Sequence, residues 1–336
     1  LCPATPATTV LTNAVCACES LKGIGAGLTT RSSANLSADV GLNRSAEVTG
    51  HWEVGGSLRA YEGVGGIGNI DARDDLVSFA DLSTIGRVKV GRDLAVRKDV
   101  RQIGYMDVGG VMKIGGSRGV LGFVPTARFG SFDLADALPC ACNGLDVKAE
   151  VAKAQTTASV KKMGDLSNIG AQRVVLTTGS YSLANFDQIG FSEIAVDGAA
   201  SLYVSGDLRS IGHTRFSVPP GSTLDLYVSG NVSGIGATLF KEAPTPGAVR
   251  FYIGEGFQHI GWQDIPVSIY APKADIDLIG GTVVRGSILA RSIQSIGLIV
   301  VDYAKASFPP PNVCTPPGPN GGGTPGGSSG GGDGIN

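Results

Sequence analysis

At 336 residues the chain is too long for a disulfide-stapled miniprotein. With 27 basic against 29 acidic residues and a formal charge of -2, it is too evenly charged to point to nucleic acid or an anionic membrane. Glycine is abundant at 51 residues, aromatics are scarce, and no apolar run nears the roughly 20 residues that cross a bilayer, so no membrane span is expected. Near-neutrality also removes one barrier to self-association.

Residues 1–18 (LCPATPATTVLTNAVCAC) are rich in Thr, Ala and Pro and read as an extended, cysteine-tied N-terminal strap. A chain that opens at Leu1 rather than Met fits an exported, extracellular or cell-surface protein whose signal peptide has been removed. Cys2, Cys16, Cys18, Cys140, Cys142 and Cys314 form an even set, and four of them make two Cys-Ala-Cys motifs, each just before a block of repeats. Disulfides in an oxidising compartment are expected, with connectivity left open. Four thiolates around a soft metal are the competing reading, against which C-x-C is not the usual zinc spacing.

Residues 19–124 hold the first block of a short phrase: a small or polar pair, an aliphatic or aromatic residue, two free positions, then Ile-Gly. It closes at Ile85-Gly86 and Ile103-Gly104, with looser copies ending at Gly25 and Gly68. In the second block, residues 164–303, it closes at Ile169-Gly170, Ile189-Gly190, Ile211-Gly212, Ile235-Gly236, Ile260-Gly261, Ile279-Gly280 and Ile296-Gly297. Copies recur every 17 to 25 residues, which marks a solenoid. Each unit carries short β-branched runs bounded by glycines, such as Ser201 to Val204, and no sustained helical period. An all-β fold follows, a right-handed parallel β-helix of two tandem blocks. The repeated Ile is expected to point inward and stack coil on coil, with the Gly turning a corner at positive φ.

Residues 125–163 interrupt the repeat. Leu145 to Ala154 has helical composition with Leu145, Ala149 and Ala152 on one face, and such a helix is expected to cover the open end of a coil stack. Residues 304–336 turn to Pro, Gly and Ser and read as a flexible tail.

Chemistry is hard to find. Asn69-Ile70-Asp71, Asp74-Asp75 and Arg87-Val88-Lys89 resemble elements of polygalacturonase-type hydrolases, but the first two stand too close to flank a glycosidic bond and the family's His motif is missing. His213 and His259 are expected to face solvent. Asp225, Asp275 and Asp277 alternate along strands as outward carboxylates, and no G-x-S-x-G elbow is present. No catalytic residue, cofactor or metal is expected. Tyr203, Tyr227 and Tyr252 recur at one coil position and support an alternative: a monomeric adhesin binding glycans through an aromatic strip. A polysaccharide lyase or hydrolase ranks behind it.

At Val283-Val284-Arg285-Gly286-Ser287-Ile288-Leu289 and Val88-Lys89-Val90-Gly91-Arg92-Asp93-Leu94 the chain resembles bactofilins and related polymer-forming β-helix proteins. The resemblance implies rods that polymerise end to end without nucleotide. Paired cysteines, two blocks and no initiating Met make it closer to secreted, cysteine-bearing β-helical surface proteins of Gram-negative bacteria. The expected function is therefore structural: a self-assembling extracellular filament whose partner is the chain itself. Cys2 and Cys314 are expected at opposite ends, and the tail is expected to cross to the adjacent subunit.

Overall fold

The computed structural model describes residues 9–122, 128–236, 240–242 and 247–308. They form a parallel β-solenoid of about 13 turns with one helix. Coils spaced at about 4.8 Å make a rod on the order of 60 Å long. In cross-section each coil has three faces: in one coil, residues 208–211, 214–217 and the strand Thr223–Val228.

Strict alternation fills the interior. Leu208, Ser210, Thr214, Phe216, Leu224, Leu226 and Val228 point in and are all but fully buried, while Arg209 and Ile211 point out. The same inner positions in neighbouring coils stack Leu76 on Leu94 on Met112, and Leu82 on Val100. One continuous core therefore runs the length of the rod.

In several coils an aspartate just before an inward aliphatic residue closes a corner. Asp81 Oδ1 accepts from the backbone N–H of Asp99 at 3.0 Å, and Asp99 Oδ1 accepts from that of Ser117 at 2.8 Å. Asp75, Asp93 and Asp207 do the same for Asp93, Val111 and Asn231. The carboxylate satisfies an amide one coil further on, which the turn would otherwise leave unpaired.

Stacking order departs from chain order. The two blocks stack end to end, but in the reverse of chain order: Val15–Ala17 and Leu21–Arg31, from the first coil, lie against Ile288–Tyr303, from the last. The chain starts mid-rod, climbs to Arg128–Gly130 at one end, returns outside the stack to the other end, and climbs again to meet its own beginning. Val15–Ala17 is thus a coil strand, so the solenoid starts inside what sequence reads as a strap. Thr9–Leu11 pairs antiparallel with Ala306–Phe308 beside that seam.

The returning segment runs down the third face. Phe132 packs edge-on against Phe79 at 5.8 Å, and Asp133 and Asp136 pair with Lys113 and Arg97. Helix α1 (Val147–Thr156) follows, capped by Asp146, whose side chain accepts from Ala149 N. Its buried residues are Val147, Val151 and Ala154, not Ala149 and Ala152. The bulkier stripe at i, i+4, i+7 takes the core side because it removes more apolar area from water. The helix covers the flank of the solenoid and not its end.

Candidate interaction surface

The side chain of the repeated Ile points away from the core. Ile85, Ile103, Ile169, Ile189, Ile211, Ile235, Ile260, Ile279 and Ile296 are all exposed, from 37% at Ile279 to 82% at Ile169, as are Ile24 and Ile67. The inward expectation is corrected by the strand period: the aliphatic residue three places earlier is buried, and an odd offset puts the Ile on the opposite side.

The expected stacking holds, on the outside. Ile169, Ile189, Ile211, Ile235, Ile260, Ile279, Ile296 and Ile24 are successive in-register partners, the step between Ile235 and Ile260 included. In the first block Thr49, Ile67, Ile85 and Ile103 are in register with one another, and Lys22 beside Glu47 joins the two stretches, the pairing shifting between Lys22 and Gly27. The ladder crosses the seam at Ile296 and Ile24, so two stretches distant in sequence build one surface.

The corner after each Ile is as expected. Gly86, Gly104, Gly170, Gly190, Gly212, Gly236, Gly261, Gly280 and Gly297 all have positive φ, between +67° and +136°. At Gly104 an added Cβ would stand 2.2 Å from the carbonyl oxygen of Gly86 in the next coil, so the corner is closed to any side chain as well as strained for one.

Of the two free positions in the phrase, the second is not free: it points in and is filled by polar residues in most copies, by Leu278 or a glycine in others. Gln102, Gln188, Ser210, His259 and Ser295 are buried there, which corrects the solvent-facing expectation for His259. Gln102 and Gln188 donate to the carbonyls of Gly86 and Leu166 and so satisfy backbone at the corner. The outward row two residues before the ladder position is Ser167, Asp187, Arg209, Ser233, Gln258, Asp277, Gln294, Lys22, Glu47, Gly65, Ser83, Arg101 and Gly119.

The tyrosine strip is not available to a glycan. Tyr203, Tyr227 and Tyr252 stack at 4.7 and 4.1 Å between centroids, but helix α1 and Phe308 lie over them and all three are buried. Burial pushes the Tyr203 hydroxyl up to about 12 and raises those of Tyr227 and Tyr252 further.

On the same face, Cys16 bonds Cys140 and Cys18 bonds Cys142, each pair with Cα atoms 5.7 Å apart. The two Cys-Ala-Cys motifs meet side by side and fix the returning segment to the coil next to the seam. Asn43 reinforces the contact through the N–H and C=O of Cys140. Cys2 and Cys314 lie outside the described residues; Thr9 and Phe308, the nearest described residues to each, are paired with one another.

The hydrolase-like residues serve the scaffold: Asn69 accepts from Arg87 N, Asp71 pairs with Arg87, and Asp75 caps a corner. Among the described residues no group of three His, Cys, Asp or Glu side chains is placed to hold a metal ion, and no helix is long and apolar enough to cross a membrane.

These features define a parallel β-solenoid rod with an exposed isoleucine ladder on one edge and a disulfide-anchored strap on another. A model of a domain of unknown function, DUF7305, matches residues 141–307, which comprise helix α1 and the second block. No curated protein matches. Among solved structures, the chain is similar to the ice binding protein of an Antarctic Flavobacteriaceae bacterium at 8% identity and a TM-score of 0.27, over 87% of this chain and 97% of that one. At that score no property is carried over from it.

Proposed function

We propose that the protein is a non-catalytic, exported structural rod that assembles end to end into a filament. The observation that carries this reading is the bare edge of the first coil in the stack. Leu166–Leu183 pairs along its length with Phe186–Val204, but on its other side only Tyr181 and Ser182 have strand partners, Lys161 and Lys162. Among the described residues, no strand covers residues 167–178, whose outward N–H and C=O groups are a template for another coil. At the opposite end, among the described residues, Arg118–Leu121 and Arg128–Gly130 are paired on one side only. Two bare ends of one parallel stack are complementary head to tail, the geometry that propagates without closing.

Two disulfides support export to an oxidising compartment. The adhesin alternative loses the aromatic strip that favoured it. Negative-stain images of the oxidised full chain test the reading: filaments whose axial repeat is a single rod length are expected, and particles of one rod length at every concentration would overturn it.

A further inference from the structure

We infer that the isoleucine ladder is a lateral, two-fold interface between two antiparallel copies of this chain. This goes beyond end-to-end assembly and does not depend on it.

Area is the first argument. Eleven Ile side chains exposed by 37 to 82% offer on the order of 900 Å², against about 800 Å² per partner in a standard protein interface. Apolar surface arranged in one straight line at coil spacing matches another line of the same spacing, and a second copy supplies one.

Charge complementarity decides the orientation. The outward row two residues before the ladder has thirteen positions in register, one per rung, from Ser167 to Gly119, with Gln294, two residues before Ile296, at the centre. A two-fold axis through the centre, perpendicular to the rods and lying in the contact plane, sets Ile row against Ile row. It also sets the outward row two residues earlier against itself, end for end. Asp187 on the second rung then faces Arg101 of the second copy on the twelfth, and Asp277 on the sixth faces Lys22 of the second copy on the eighth. Glu47 faces Gln258, Arg209 faces Ser83, and no like charges meet.

Arg101 and Lys22 already hold exposed ion pairs within the chain, to Asp99 and Glu47. Asp187 and Asp277 have no ion pair among the described residues, and the antiparallel arrangement supplies one for each. Just past the corner, Phe191 would meet Tyr105 of the second copy. A parallel pairing would instead set this row against the one past the corner and lose both charge matches. Gln294, on the central rung, would face Gln294 of the second copy across the axis.

Sedimentation equilibrium and cysteine cross-linking on the oxidised full chain test the inference. Gln294→Cys should form a disulfide-linked dimer, and Ser167→Cys, at the rod's end, should not. Asp187→Arg should raise the dimer dissociation constant by about fivefold or more, and the exchange Asp187→Arg with Arg101→Asp should restore it. A monomer at all concentrations would overturn the inference, whatever else the ladder then bound. So would equal cross-linking at the two sites, or an exchange variant no tighter than the single one. Filaments without the Gln294→Cys cross-link would retain end-to-end assembly and remove this interface; cross-linked dimers without filaments would do the reverse.

Discussion

Ile288, at the start of the last long strand, lies in register beside Val15, near the start of the first coil. The beginning and end of the chain therefore meet inside the rod, where a break in covalent continuity is bridged by strand pairing, by the shared core and by side-chain bonds such as those from the Tyr303 hydroxyl to the carbonyls of Leu11 and Thr12. Backbone bonds from Cys18 N to Ala290 O and from Ile288 N to Ala14 O, at 2.8 and 2.9 Å, close it. The disulfides stand at this seam, where the solenoid has no chain of its own to hold it.

Because Cys16–Cys140 and Cys18–Cys142 close nearly the same loop, each with a sequence separation of 124, their effects on the unfolded chain overlap. Once one bond is made, the second removes little further entropy. Removing either pair by Cys→Ser substitution should cost about 1 kcal/mol, and removing both about 4 to 5 kcal/mol. Urea unfolding of the three variants measures the difference, and equal, additive losses would contradict it.

The two residues of the Ile-Gly pair should respond in opposite ways. Gly104→Ala strains a φ of +128° and drives a Cβ into the Gly86 carbonyl, and should cost about 2 to 4 kcal/mol. Ile103→Thr, on the half-exposed side chain next to it, should change stability by no more than about 0.5 kcal/mol. Thermal unfolding of the pair reads this contrast directly.

Acid should loosen the rod below about pH 4. The backbone N–H of Asn231 holds the Asp207 carboxyl below its usual range, and Lys273 with the Ala149 N–H does so for Asp146. A carboxylate whose folded pKa is depressed contributes stability that is complete above the unfolded pKa and is lost as pH falls through the folded one. Melting temperature should be flat from pH 7 to 5 and drop towards pH 3, with a shallower drop in Asp207→Asn. An equal drop in that variant would contradict the assignment.

Tyr203, Tyr227 and Tyr252 should ionise only with alkaline unfolding, since burial raises all three. Absorbance titration should show the exposed tyrosines first and then a cooperative step coincident with loss of β structure. Val151→Asp in helix α1 should lower the pH of that step by exposing the stack, and a step unmoved by it would contradict the helix as the cover.

Much of this was legible in the chain. The recurrence of Ile-Gly at solenoid spacing identified the fold, and the corner role of Gly86 and its equivalents followed from the missing β-carbon. The direction of the Ile was also written there, in the three-residue offset from Leu82 to Ile85, which places the two on opposite faces of a strand. Chain order along the rod was not legible. A coil ending at Ile296 offers the same edge as any other, so nothing local to it says that Leu21 stacks next. The matching Cys-Ala-Cys motifs were the one signal that residues 16 and 140 meet. The burial of Tyr227 depended on where helix α1 lay, which its own composition does not determine.

The most direct measurement is sedimentation velocity of the oxidised protein over a range of concentrations beside a variant with Ile85→Asn, Ile211→Asn and Ile296→Asn. With the ladder outward and joining copies, the wild type pairs side by side as concentration rises, while the variant loses that pairing, keeps only end-to-end association, and has a nearly unchanged melting temperature. A variant that unfolds, or a wild type that sediments as the same single species, contradicts the account.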